Sequence, residues 1–158
     1  MKLIDLIHHL RQPMLRLRTG LWLVPADLLG QELNYILGLP VGCDVIDLRQ
    51  AVINFRPTSA PYAAITPEHI HTWLDQILEK DIQHDVAVLT QLDLLLAALG
   101  AGERQAVWQI LLNSFARRSK ALIFAIPQRA VGSIITELEI QAWQQNERLA
   151  SNQSSTTI

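Results

Sequence analysis

The sequence predicts an α/β fold, a mainly parallel sheet of four to five strands with helices on both faces. Three observations predict it. Short apolar runs alternate along the chain with segments of helical spacing. The runs are of the kind that a parallel sheet buries on both sides. The 158 residues, 49% of them apolar, make one domain of ordinary size with enough material for a core.

Taken in order, Leu3, Leu6, Ile7 and Leu10 stand at helical spacing, and Pro13 ends a first helix within residues 1–12. Leu21 to Val24 is a short apolar run with turn residues on both sides, hence a buried strand. Leu29, Leu33, Ile36 and Leu37 line one helical face, which Gly38 and Pro40 end. Cys43 to Leu48 is a second strand, and "RQAVINF" is a short helix. "RPTSAPYAAI" has two prolines and no period and reads as a loop. Thr66-Pro67-Glu68 starts a helix, because Thr66 can cap, Pro67 suits the first helical position and Glu68 favours the positive end. The apolar spacing of Ile70, Trp73, Leu74, Ile77 and Leu78 carries that helix to about Lys80. Asp85 to Leu89 is a third strand, and "LDLLLAALGAG" is part helical turn and part loop. Glu103 to Ala116 is a helix striped by Val107, Trp108, Leu111, Leu112 and Phe115. Ala121 to Ile126 is a fourth strand, closed by Pro127. Beyond it, "SIITELEI" reads as a strand and the overlapping "LEIQAWQQNERL" as a helix, so residues 133–147 stay open between the two. The domain is expected over residues 1–145, with 146–158 a disordered polar tail.

Charged residues make up 18%, below the usual share of about 25%. Either the interior is large, or a partner covers part of the exterior. The net charge of −2 gives no general signal for binding polyanions. Cys43 is alone, which excludes an internal disulfide and fits a reducing compartment. In "MKLIDLIHHL", Asp5, His8 and His9 interrupt the apolar run and no small-residue cleavage site follows, so it reads as an amphipathic helix and not a signal peptide. No apolar stretch reaches the roughly 18 residues of a membrane span. The expectation is a cytoplasmic protein.

Ligands of parallel sheets bind beyond the carboxyl ends of the strands. At the first such place a phosphate loop would read G-x-x-x-x-G-K-[ST], and this chain reads P-A-D-L-L-G-Q-E from Pro25 to Glu32. Only Gly30 survives. Pro25 removes a backbone donor, Gln31 stands in place of the lysine, and Glu32 stands where a hydroxyl would hold magnesium. A Walker-B strand ends in acids, but the third strand here continues into Thr90 and Gln91, with Asp93 the nearest carboxylate. Two losses in the two expected places argue against hydrolysis. The plainer reading is equally simple, since any parallel α/β domain has strand–turn–helix junctions.

Other constellations are weaker. None of His8, His9, His69, His71 and His84 shows metal-ligand spacing, and Cys43 offers no partner thiol, so no metal site is expected. Ser133 follows Gly132 but lacks the trailing glycine of a nucleophile elbow, so it is a turn or cap residue. Trp143 either packs on its own domain or forms an exposed anchor.

Over Leu21 to about Arg129 the chain resembles the small P-loop family BrxF of BREX anti-phage systems. The matching segments are "LWLVPADLLGQE", "DVIDLRQAVINF", "VAVLTQLDLLL" and "WQILLNSFARRSKALIFAIP". In the third, Thr90 stands for the family's first acid, Gln91 for its Asn, and Asp93 matches its second acid. "LWLVPADLLGQELNYILGLP" also resembles SulA cell-division inhibitors, which have a RecA-like sheet without a phosphate loop and act by binding a protein. Both resemblances imply a RecA/ASCE-like P-loop fold without functional Walker A or B motifs. They imply no cofactor and a protein partner: a larger ATPase subunit in the first case, a cell-division GTPase in the second. The alternative from the enzyme class is a weak nucleotidase using Glu32 and Asp93 around an unusual metal site. In a RecA-like sheet the first and fourth strands are neighbours. Arg11, Arg16 and Arg18 would then share the amino-terminal edge with Arg117, Arg118 and Lys120. Such an edge suits an acidic partner or a nucleic-acid backbone, although basic residues also commonly end helices.

Overall fold

In β1 (Thr19–Val24) every residue is buried, and successive side chains enter opposite cores: Leu21 and Leu23 one, Trp22 and Val24 the other. That is period-two geometry with both faces covered. A computed structural model describes residues 1–26, 42–55, 65–80, 83–115 and 120–151. The expected helix at Leu29–Leu37, the loop at "RPTSAPYAAI" for all but its last residue, and the tail from residue 152 lie outside the described residues.

The other strands are β2 (Asp44–Asp47), β3 (Val86–Thr90), β4 (Ala121–Pro127) and β5 (Leu149–Ser151). They form one sheet in the order β2-β3-β4-β1-β5, and each neighbouring pair is parallel. β1 and β4 pair over their length, Thr19 beside Leu122 and Val24 beside Pro127. The fold is therefore α/β with an all-parallel five-stranded sheet.

One face is closed by α1 (Leu3–Leu10). Its Leu3, Leu6, Ile7 and Leu10 have no exposed surface, and they pack on Trp22, Val24, Val88, Ile123 and Ala125. A side chain at Gly20 would meet Leu6 and Leu10 carbons at 3.0 Å, so the strand has glycine where the helix comes closest. The opposite face carries α2 (Leu48–Phe55), α3 (Pro67–Lys80), α4 (Leu92–Leu96), α5 (Ala101–Gln109) and α6 (Glu137–Gln145). Thr66 caps α3, its Oγ1 accepting from His69 N–H at 3.2 Å. α5 runs on into a π-helical turn at Ile110–Ser114. No helix among the described residues is long and apolar enough to cross a membrane.

Two expectations change at the C-terminal end. Of the two readings of residues 133–147, the helix forms from Glu137, and the strand does not. Thr136 Oγ1 accepts from Glu139 N–H at 3.2 Å while Glu139 Oε1 accepts from Thr136 N–H at 3.0 Å, a reciprocal cap that overrides the β-branched residues before it. The domain also continues past residue 145. Leu149–Ser151 pairs with β1, and Ser151 N–H donates to the Met1 carbonyl at 3.0 Å. Leu149 and Ala150 are only two apolar residues in a polar stretch, too short a run to signal a strand without its neighbour. Trp143 packs inward with no exposed surface.

Candidate functional site

The carboxyl ends of β1, β2, β3 and β4 lie along one edge, where a parallel sheet holds ligands. Pro25 is buried directly after β1; Gly30, Gln31 and Glu32 lie outside the described residues. Thr90 ends β3 half-buried, and its hydroxyl donates to the Ile46 carbonyl of β2 at 3.4 Å. Gln91 follows with φ 71° and ψ 13°, a left-handed conformation that a glutamine rarely adopts. The chain turns there into α4, whose first turn carries Asp93. Burial raises the Asp93 carboxyl above its ordinary pKa, opposed by the backbone N–H groups of Asp93 and Leu94 and by the charge of Arg129 beyond β4. Asp47, at the end of β2, accepts from the N–H groups of Arg49 and Gln50 at 2.9 and 3.3 Å. Asp47 therefore serves the amides of the helix that follows it, and Asp93 those of its own first turn. Thr90, Gln91 and Asp93 thus all lie at this edge, and the charge of Arg129 reaches Asp93.

The opposite edge gathers the basic residues among mixed charge. Arg11 Nε reaches Asp85 Oδ2 at 3.1 Å, and its Nη2 donates to the Gly42 carbonyl at 3.3 Å. Arg18 donates to the Gln12 carbonyl at 3.2 Å. Arg16 is exposed, Lys120 is half-buried just before β4, and Arg117 and Arg118 lie outside the described residues. Asp44 stands at the same edge, accepting from the N–H groups of Gln83 and His84 at 2.7 and 2.8 Å and contacting His84 Nδ1 at 3.0 Å. Burial would raise its pKa, but the His84 and Gln83 hydrogen bonds outweigh burial and hold it below the ordinary value. Arg11, Arg18 and Lys120 thus share their edge with the carboxylates of Asp44 and Asp85.

The remaining candidates have structural roles. Ser133 Oγ donates to the Ala130 carbonyl at 3.2 Å within a turn. His71 Nδ1 lies 3.4 Å from Asp75, and His69 stacks on Trp73. Burial pushes the Cys43 thiol up to about 11, against the lowering effect of Arg11, so it is an unreactive core group at neutral pH. No group of metal-ligating side chains gathers among the described residues.

A groove between α5 and α6 was not anticipated. It encloses about 530 Å³. Trp108 and Trp143 border it from beneath, almost without exposed surface, edge to face with centroids 6.4 Å apart. Trp108 Nε1 donates to the Ile134 carbonyl at 3.0 Å, which fixes the loop between β4 and α6 against α5. Leu138 stands on the rim 77% exposed. Glu139 lines the α6 wall; its Oε1 completes the helix cap, while its Oε2 is buried without a hydrogen-bond partner among the described residues. Below the groove Arg148, 4% exposed, lies 5.0 Å from the Trp143 ring centre and donates to the Leu112 carbonyl. Burial lowers its pKa to about 10, which still leaves it charged at neutral pH. It sits against a carbonyl of the π turn, the negative end of the helix that suits a cation. One sequence signal pointed here: Leu138 falls off the Ile140–Trp143 stripe, between Glu137 and Glu139.

Compared with known proteins, the chain matches no family model, no curated protein and no solved structure.

Proposed function

We propose that this chain is a non-catalytic adaptor or structural subunit of a bacterial anti-phage defence complex. It is built on a RecA-like P-loop scaffold without nucleotide chemistry, and it acts by contact with a true ATPase or another large component. The observation that carries this reading is the end of β3. A magnesium site there needs anionic oxygens. The first two positions hold Thr90, whose hydroxyl is engaged by β2, and Gln91, an amide in a left-handed turn. Asp93, the third, is held less acidic than usual by burial. The pairing of β1 with β4 and the all-parallel order support the scaffold part of the reading.

Co-expression with the ATPase, methyltransferase and phosphatase-like subunits of a BREX system tests it. The expected result is a stoichiometric complex with one of them in size-exclusion chromatography with light scattering. If no complex forms and the chain instead blocks polymerisation of a cell-division GTPase, an inhibitor of the SulA kind replaces the adaptor. Phosphate release with magnesium or manganese above a heat-killed control would make it a weak nucleotidase.

A further inference from the structure

Among the described residues the buried polar side chains are Thr19, 1% exposed, and Arg148, 4% exposed. A buried polar group costs free energy unless it is hydrogen-bonded, and these two bond to adjacent atoms of one turn. Thr19 Oγ1, at the start of β1, donates to the Leu111 carbonyl at 2.5 Å. Arg148 Nη2, just before β5, donates to the Leu112 carbonyl, and its guanidinium lies 5.0 Å from the Trp143 ring centre. Both acceptors belong to the π-helical turn Ile110–Ser114 that ends α5.

The hydrogen bonds of that turn give the two donors a role. Phe115 N–H reaches back five residues, to the Ile110 carbonyl at 2.7 Å. In an α-helix it would reach back four, to Leu111. The wider turn therefore leaves the Leu111 carbonyl without its helical donor, and that is the atom Thr19 Oγ1 meets. The Leu112 carbonyl is next in line and meets Arg148. π-Helical turns are rare, and here two side-chain donors offset the backbone bonds that the wide turn gives up. Neither side chain is explained by its strand alone. Valine has nearly the shape of Thr19 and suits a strand without a hydroxyl to satisfy. Arg148 leaves Nε and Nη1 buried with no partner among the described residues, a cost that an apolar side chain would avoid.

The register matters at Phe115. It is buried at the end of the turn and meets the His71 ring of α3 edge to face, with centroids 5.3 Å apart. Closing the turn to the α register would rotate the residues beyond it by about 100° around the helix axis, one residue's worth. Phe115 would then leave that contact.

We propose that Thr19 and Arg148 form a buried latch that selects the π register of this turn and so directs Phe115 onto α3. They are positioning residues that act on backbone carbonyls; without them the end of α5 relaxes to the α register. The inference stands apart from the adaptor reading and does not depend on it.

The test uses the full chain labelled with ²H, ¹³C and ¹⁵N, in which couplings across hydrogen bonds identify the carbonyl that each amide reaches. In the unsubstituted chain the Phe115 amide is expected to correlate with the Ile110 carbonyl. In Thr19→Val/Arg148→Met that correlation is expected to move to Leu111. Thr19→Val alone, which keeps the side chain's shape, is expected to weaken the Ile110 correlation, and it tests the latch even where the double variant does not fold. Thr19→Ser keeps the hydroxyl and is expected to keep the Ile110 correlation. Each of Thr19→Val and Arg148→Met should lower the folding constant about tenfold in urea denaturation. The double variant should lose at least about fivefold less than the product of the two, because the turn relaxes only once. An Ile110 correlation that persists undiminished in Thr19→Val and in the double variant, losses that simply multiply, or relaxation of the turn in Thr19→Ser would overturn the proposal.

Discussion

The two faces of the sheet are closed in different ways. On one, α1 lays four fully buried aliphatic side chains over alternating strand residues, with a glycine beneath to admit it. On the other, α5 and α6 leave about 530 Å³ between them, an exposed leucine on the rim, a carboxylate oxygen without a donor among the described residues and a buried arginine beneath. Both faces come from one chain with the same supply of apolar residues. The difference teaches that, among the described residues, the second face keeps an open groove where the first is closely packed. The first is finished by the chain itself.

The largest effect should appear on the finished face. Leu6→Ala is expected to cost about 3 kcal/mol in urea denaturation, because a fully packed site collapses poorly around a cavity. A cost near that of a surface substitution would mean that α1 is loosely seated and that the contrast is false. Arg148→Ala comes next, at about 2 kcal/mol. It removes the cation over Trp143 and leaves the Leu112 carbonyl without its donor. A gain in stability would show that the two unpartnered nitrogens of Arg148 outweigh its contacts.

Asp44 tests an edge shared by both faces. Its folded pKa is depressed, so its stabilising contribution is present above the unfolded carboxylate pKa and is lost as pH falls through the folded one. Asp44→Asn should therefore cost about 1 kcal/mol at pH 7, and the gap from the unsubstituted chain should shrink below about pH 4, read as melting temperature against pH. A gap that does not change with pH would assign the cost to geometry and not to charge. The smallest effect belongs to the open face: Gly102→Ala should stabilise the free chain by about 0.5–1 kcal/mol. Destabilisation there would mean that the chain itself needs the glycine.

Much of the fold could be read from residue patterns because its signals are local. The apolar runs at β1, β3 and β4, the i, i+3, i+4 stripe of α1, and the Thr66-Pro67-Glu68 start of α3 each need only a few neighbouring residues to act. β5 could not be read that way. Its two apolar residues become a strand only because β1 offers a free edge, a contact more than 120 residues away in sequence. The groove was hidden for the same reason: Trp108 and Trp143 each sit on an ordinary stripe, and only tertiary packing brings them edge to face. At the carboxyl edge, Thr90, Gln91 and Asp93 were placed by their position after an apolar run, which folding preserves. The basic edge was half legible. Arg11, Arg18 and Lys120 could be assigned to it from strand adjacency, but the carboxylates of Asp44 and Asp85 arrive there through β2 and β3.

The central claim is that this scaffold no longer grips a triphosphate, and equilibrium dialysis of magnesium-ATP against the purified chain tests it most directly. The account predicts no saturable binding up to millimolar nucleotide. Micromolar binding that disappears on changing Gln31 or Glu32 would contradict it.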